Sequence, residues 1–406
     1  MMGIVVKKFG GTSVGDVGRI RHVARLVAEY RGNHPDDQIV LVVSAMAGET
    51  NRLIALARST VGNPTPRELD VLLATGEQAA VALVAMALQE LGVPARSALA
   101  WQAGMFTDDH HLEAHLSHVQ ADPIARILAH GEIPVVAGFQ GVTEDGELTT
   151  LGRGGSDISA VALASALGAS ACYIYTDVPG VLSADPRVCR RARLLSQVCH
   201  EEMFELASLG AKVLHPRSVY FAMRYQVPLV VLSSFEPGLG TWIVVEEELM
   251  EAPVVRAITH RIDEAKLTMH GLSGGVASVS ALFSALADDK ILIDMITQTG
   301  VEQGRTNVSF TVSDDQSGRA LDICRSLVQA LGAEGASLER DIAKVSVVGV
   351  GMKYHTGVAS RMFKTLADER IEIQMIGTSE SKISVLIQRK YCELAVRALH
   401  EAYLER

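Results

Sequence analysis

Apolar runs that stop at glycine-rich turns and resume as helical periods fill the first 245 residues. Ile4-Val5-Val6 reads as a β-branched strand and Lys7 to Ser13 (KKFGGTS) as a turn. Val17, Ile20, Val23, Ala24 and Val27 then mark one face of a helix. Gln38 to Ser44 is nearly all apolar, the pattern of a strand buried on both faces of a parallel sheet. Arg67 to Leu91 reads as a long Ala/Leu/Val helix, interrupted early by Ala74-Thr75-Gly76-Glu77-Gln78. Ile133 to Val136 is a strand running into Ala137-Gly138-Phe139-Gln140-Gly141, and Glu144 to Glu147 is a hairpin-type turn. Ala171 to Tyr175 is a further strand and Glu201 to Leu209 a further helix. Such alternation predicts an α/β fold around a mainly parallel sheet, with ligands at the carboxyl ends of its strands.

Beyond Glu246-Glu247-Glu248 the chain repeats itself. Ala265-Lys266-Leu267-Thr268 recurs as Ala343-Lys344-Val345-Ser346, and Phe283 to Ile296 (FSALADDKILIDMI) recurs as Phe363 to Ile376 (FKTLADERIEIQMI). Each copy reads strand, helix, strand, strand, helix, with an edge strand to complete a βαββαβ unit.

At 406 residues the chain is long enough for two or three domains. A content of 48% hydrophobic and only 5% aromatic residues describes a soluble α/β protein rich in Ala, Val and Leu. The net charge of −10 argues against nucleic-acid or anionic-membrane binding, so an anionic substrate must be met by a few local cations. No apolar run is expected to reach the length of a membrane span, and MMGIVVKKFGG reads as neither signal nor transit peptide. The five cysteines (Cys172, Cys189, Cys199, Cys324, Cys392) include no close-spaced pair and read as reduced cytoplasmic thiols.

Candidate chemistry concentrates in Leu148 to Val161 (LTTLGRGGSDISAV). Gly152, Gly154 and Gly155 let backbone approach a ligand, Ser156 or Asp157 is placed to cap the following helix, and Arg153 offers a fork for carboxylate or phosphate. Lys8 precedes a Gly-Gly turn, which suits phosphate binding or an ordinary surface turn. Glu77 fits either a counter-charge for an ammonium group or a helix-start carboxylate. On a helix His111, His115 and His118 would align, but Asp108, Asp109, Glu113 and Gln120 around them favour a solvated face, and no metal site is assigned.

In order along the chain, KFGGTSVG (Lys8 to Gly15), VVSAMAGETN (Val42 to Asn51), TGEQ (Thr75 to Gln78), VAGFQG (Val136 to Gly141), TTLGRGGSD (Thr149 to Asp157), TDVPGV with ADPR (Thr176 to Arg187) and GAKVLHP (Gly210 to Pro216) resemble the aspartate kinases of the amino-acid kinase superfamily. The resemblance implies a three-layer αβα kinase domain over 1–245 and a linker over 246–262 able to add a strand to the regulatory region. Two ferredoxin-like ACT domains would follow over 263–336 and 342–406. It implies Mg-ATP-dependent phosphorylation of the β-carboxylate of L-aspartate, the entry step to lysine, threonine, methionine and isoleucine, with Mg²⁺ held mainly by phosphates. By the same resemblance Lys8 and Asp157 are catalytic. Lys8, Phe9, Gly10, Gly11, Ser156, Thr176, Asp177, Leu182, Asp185, Arg187 and Lys212 would hold ATP, and Ser44, Glu77, Arg153, Gly154, Gly155 and Ser156 would hold aspartate. Leu182 stands where many relatives carry tyrosine, implying aliphatic contact with adenine.

The ACT pair implies a homo-oligomer and lysine or threonine as effector, with Asp294, Gln298, Val358, Ala359, Ile373, Ser379 and Glu380 as contacts. Gly271 to Ala277 lacks the Asp and Pro-Gly usual in the effector loop, which suggests a specialised, weakly inhibited form. Met250 falls where some relatives begin a separate regulatory subunit. The competing readings are another carboxylate kinase of the same fold and a non-catalytic amino-acid sensor.

Overall fold

The computed structural model describes residues 3–211, 213–246, 254–273, 275–300, 304–352 and 355–405. Lys212 and Met250 lie outside them. The chain divides into two compact units, one of residues 1–182, 194–208 and 212–252, the other of residues 183–193, 209–211 and 253–406. This differs from a single cut at 245, because two short insertions belong with the C-terminal unit.

The first unit contains β1 (Ile4–Phe9), α1 (Val17–Asn33), β2 (Gln38–Val43), α2 (Glu49–Thr60), α3 (Pro66–Glu90), β3 (Ala95–Ala98), β4 (Met105–Thr107), β5 (Leu116–Val119), α4 (Asp122–Ala129), β6 (Ile133–Ala137), β7 (Gln140–Val142) and β8 (Leu148–Thr150). It continues with α5 (Gly155–Ala166), β9 (Ala171–Thr176), β10 (Gln197–Cys199), α6 (His200–Ser208), α7 (Pro216–Tyr225), β11 (Leu229–Ser233) and β12 (Thr241–Val244). The main sheet runs β10-β12-β11-β9-β1-β2-β6-β3 and is parallel except at β11 against β12. Its central strands are apolar on both faces because helices cover both, and every residue of β6 is buried. A small second sheet, β5-β4-β7-β8, flanks the carboxyl end of β6.

Two expectations are corrected here. Helix α3 is continuous through Gly76 and Glu77, and it is long and apolar enough by composition to cross a membrane. Half of its most apolar stretch is buried inside the unit, with Leu73, Ala80, Val81, Val84 and Leu88 inward, so it serves as a layer of the sandwich. The histidine segment is not a helix: His118 lies in β5, while His110, His111 and His115 lie in the loop between β4 and β5.

The second unit holds β13 (Ala257–Arg261), β14 (Glu264–Ser273), α8 (Gly275–Asp288), β15 (Ile293–Gln298), β16 (Arg305–Ser313), α9 (Ser317–Leu327), β17 (Gly335–Glu339), β18 (Ile342–Val348), α10 (Val358–Asp368), β19 (Ile373–Thr378), β20 (Lys382–Gln388) and α11 (Cys392–Leu404). Two antiparallel sheets form, β15-β16-β14-β17 and β13-β18-β20-β19. The first copy supplies its own edge strand after α9, whereas the second takes β13, from before the first copy. Each copy is thus a four-stranded sheet backed by two helices, and the second is complete only when the chain returns to it.

Candidate active site

Lys8, Ser44 and Phe139 stand at the carboxyl ends of β1, β2 and β6, facing the turn that opens α5. Together with α2, α3 and the 152–157 turn they enclose a cavity of about 820 Å³. Inside it Lys8 Nζ lies 2.6 Å from Asp157 Oδ1, and both side chains are largely buried. Asp157 does not cap α5, nor does Ser156: the N-cap is Gly154, in the left-handed region at φ 71° with no side-chain cap. A Cβ there would fall 2.3 Å from His215 Cβ, so only glycine fits both the conformation and the space. Of the first-turn N–H groups of α5, that of Gly155 donates to the Gly152 carbonyl and that of Asp157 to the Gly154 carbonyl, both at 3.0 Å, which leaves the Ser156 N–H for a ligand and the Asp157 carboxylate for Lys8.

Glu77 lies in the middle of α3, which excludes a helix-start role. Gly76 lets α3 press against the loop after β2, since a Cβ would come 2.9 Å from Ala45 Cβ. In consequence the Ala45 N–H donates to Glu77 Oε1 at 3.0 Å, while Oε2 is buried with no hydrogen-bond partner among the described residues. Burial pushes the Glu77 carboxyl up to about 7. A half-satisfied carboxylate aimed into a cavity is a receptor for a cation.

Sequence reasoning missed Asp70. It is fully buried on α3 and accepts from Thr150 Oγ1 at 2.5 Å and from Leu112 N at 3.1 Å, with His111 Nδ1 at 2.7 Å. It thereby fastens Leu112 and Thr150 as pocket wall. The available signal was spacing, since Asp70 precedes Glu77 by seven residues and shares its helix face. Thr50, Asn51 and Arg58 also line the cavity, and the first two fall in the VVSAMAGETN block.

Of the expected substrate and catalytic residues, Lys8, Ser44, Glu77, Arg153, Gly154, Gly155, Ser156 and Asp157 all line this one cavity, Arg153 exposed at its rim. Gly11 lines it as well, and Gly10 donates to the Tyr175 carbonyl at 3.4 Å. The Phe9 ring is fully buried and stacks on Tyr175 at 4.5 Å, so only its backbone is available. Thr176 and Asp177 sit at the end of β9 beside β1, Thr176 Oγ1 donating to Asp177 at 3.1 Å. Leu182 bridges to Leu194. Asp185 and Arg187 belong to the second unit, where the Arg187 guanidinium holds the Asp185 carboxyl below its ordinary range.

In the second unit Asp294 is held by Lys344 and lines a 200 Å³ cleft with Gly377, Thr378 and Lys382. Gln298 ends β15, and Ser379 N donates to the Lys382 carbonyl at 2.9 Å, with Glu380 following in the same turn. Val358, Ala359 and Ile373 pack against the core of the second sheet. The expected effector residues are therefore not gathered in one cleft of the chain.

A mainly parallel sheet with a lysine–aspartate pair at its carboxyl edge, a glycine turn and a half-satisfied buried carboxylate is an arrangement suited to phosphoryl transfer, and comparison with known proteins gives its class. The amino acid kinase family matches residues 3–233, and an ACT domain matches residues 345–403. Aspartate kinase Ask_LysC of Stutzerimonas stutzeri is 50% identical over 403 residues, covering 99% of this chain and 97% of its own. Aspartokinase III of Escherichia coli, in complex with aspartate and ADP in its R-state, superposes with a TM-score of 0.79 at 29% identity, covering 99% of this chain and all of its own. The T-state of the same enzyme with lysine and aspartate gives a TM-score of 0.76 at 29% identity, covering 99% of each chain. The chain belongs to the amino acid kinase family and, within it, to the aspartate kinases. It is a soluble metabolic enzyme with aspartokinase activity, a nucleotide-binding kinase domain and an ACT regulatory region.

Proposed function

We propose that the 820 Å³ cavity binds L-aspartate by its two charged ends and presents the β-carboxylate to Mg·ATP beside Lys8. The observation that carries this is the Lys8–Asp157 pair and the unpartnered Glu77 Oε2 sharing one cavity. The Glu77 carboxylate takes the substrate ammonium, Arg153 takes the α-carboxylate, and Ser44 and Ser156 complete the contacts. An oxygen of the β-carboxylate attacks the γ-phosphorus as the bond to the β,γ-bridging oxygen breaks, leaving acyl phosphate and ADP. A carboxylate is already ionised at neutral pH, so no general base is needed and catalysis reduces to alignment and charge neutralisation. Lys8, oriented by Asp157, meets the transferring group, the backbone of the Gly10-Gly11 turn lets the phosphates approach, and the N–H groups of Gly11 and Ser156 donate to them. Thr176, Asp177, Leu182, Asp185, Arg187 and Lys212 are the proposed remaining nucleotide contacts.

The two carboxylates of the cavity are committed to Lys8 and to the Ala45 N–H, a donor set that suits Mg²⁺ carried in on phosphate oxygens and water. Bound there, the ion would neutralise phosphate charge.

The E. coli complex with lysine supports lysine as effector, with threonine the alternative. Val276, Leu292, Ile296 and Ile376 are exposed on the ACT unit and support assembly of a homo-oligomer through it, which light scattering would read directly. A cytoplasmic setting, ahead of lysine, threonine, methionine and isoleucine synthesis, completes the reading.

Hydroxylamine trapping with Mg·ATP tests it. Aspartate should yield hydroxamate and glutamate should not, and Lys8→Ala should lower the rate by about 10²–10³-fold. ATP binding without hydroxamate would overturn the catalytic assignment.

A further inference from the structure

The loop between β4 and β5 carries a cluster that the kinase reaction does not use. Asp108, His110 and His115 each offer one ligand atom within 4.8 Å of the others. His115 Nδ1 lies 2.9 Å from Asp108 Oδ2, and His110 Nδ1 lies 3.4 Å from the same oxygen. A tetrahedral ion with bonds of about 2.0–2.1 Å spaces its ligands about 3.3–3.4 Å apart, so modest adjustment brings all three onto one centre. The other oxygen, Oδ1, accepts from the N–H groups of His110 at 3.3 Å and His115 at 2.9 Å, which orients the carboxylate as an outer shell orients a ligand. His111 turns away to Asp70, 2.7 Å from its Nδ1, and is not one of the three residues whose ligand atoms converge.

A second metal-like cluster, Cys189 with His400 and Glu405, differs in kind. There His400 is fully buried with Nε2 at Ser183 Oγ and Nδ1 at Glu405, both at 2.9 Å, and Glu405 is also paired with Arg191, so the would-be ligands are already committed to one another and to structure.

We propose that Asp108, His110 and His115 form a binding site for a zinc-class divalent transition metal, which ties together the two ends of the 108–115 loop. Two imidazoles with a carboxylate select such an ion over Mg²⁺, which prefers oxygen ligands and octahedral geometry. The loop is already closed by the Asp108 N–H donating to the His115 carbonyl at 3.0 Å, and its middle supplies Leu112 to the aspartate cavity. Leu112 holds φ at 73°, kept there by Asp70, so clamping the loop ends stiffens one wall of the substrate site.

The test uses the full chain without a histidine tag, titrated with Zn²⁺ alone by calorimetry and with Co²⁺ alone by visible absorption. The five cysteines are buried and do not compete. One ion per chain is expected, with the intense visible bands of a four-coordinate Co²⁺ site. His110→Ala and His115→Ala should each weaken binding by at least about tenfold. Both imidazoles are more than two-thirds or nearly two-thirds exposed (73% and 66%), so their removal leaves the core intact. His115→Gln, which retains hydrogen bonding to Asp108 but ligates poorly, should behave as the alanine variant, while His130→Ala should bind as the parent. Absence of stoichiometric uptake, or equal binding by the His110→Ala/His115→Ala double variant, would overturn the proposal.

Discussion

Lys8–Asp157 in the kinase unit and Lys344–Glu264 in the ACT unit are both lysine–carboxylate pairs largely removed from water, yet they are completed differently. Lys344 is 1% exposed and Glu264 2%; Nζ lies 2.5 Å from Glu264 Oε1 and also meets Asp294, with the Arg261 guanidinium 3.3 Å from the same Glu264 oxygen. Two cations there answer two carboxylates, between the strands β14, β15 and β18 that join the ACT copies. Lys8 has one carboxylate and a cavity on its other side. Each centre keeps a buried carboxylate oxygen without a hydrogen-bond partner among the described residues, Glu77 Oε2 in one and Glu264 Oε2 in the other. What separates a centre that can accept a ligand from one that holds two domains in register is therefore the 820 Å³ cavity beside Lys8, against a cleft of 200 Å³ beside Lys344. Neither the buried pair nor an unpartnered oxygen is by itself the mark of function; the two together at the wall of a substrate-sized cavity are.

Removing the lysine from each pair should break the comparison most sharply. Lys8→Met should abolish most hydroxamate formation with a smaller loss of stability, because Asp157 is left facing a cavity that water can enter. Lys344→Met leaves Glu264 and Asp294 facing each other and should lower unfolding free energy by about 3–5 kcal/mol, read by urea denaturation. If Lys344→Met left stability intact and removed activity, the division between the two pairs would collapse.

Glu77→Gln sharpens the same contrast at smaller cost. The amide can still accept from Ala45 N, but without charge the aspartate KM should rise about 10–100-fold while the ATP KM holds. Because burial places the wild-type carboxyl at about 7, kcat/KM for aspartate should fall as pH drops through 7, and the variant should lose that limb. Stability has the opposite sign. The folded state holds a proton on Glu77 that the unfolded chain releases near 4.5, so the ligand-free enzyme loses stability as pH rises from about 4.5 to 7.

The smallest effect on catalysis is expected at Lys7, whose amine is buried against the Tyr30 ring at 3.4 Å and donates to Tyr175 OH at 3.2 Å. Burial lowers it to about 7, against the opposing charge of Asp37. The unfolded chain therefore binds the extra proton between about 7 and 10.5, and stability should rise with pH across that window. Lys7→Met should flatten this rise while leaving catalysis unchanged; a pH series of urea midpoints measures it.

Much of the site was legible in advance because its residues sit at strand ends and glycine turns, where local pattern and chemistry coincide. Lys8, Ser44, Arg153 and Asp157 could be picked out from such turns, and the repeat in the second half announced two like modules. Other features were hidden for stated reasons. Asp70 looks like any helix carboxylate until Thr150 and Leu112, 80 and 42 residues away, close on it. His111, His115 and His118 share a helical spacing, yet the first two fall in a loop and the third in β5, because β4 and β5 pair with each other.

By itself, then, the sequence determined the order of elements, the α/β character of the first half, the duplication of the second and the residue types able to meet phosphate and carboxylate. Those are local properties of period, turn chemistry and charge. Only the tertiary structure decided that Glu77 keeps one oxygen unpartnered, that Gly154 rather than Ser156 or Asp157 starts α5, and that the second ACT sheet takes β13 as its edge. Each depends on which distant backbone arrives beside a given side chain, and that is set by packing across the sheet.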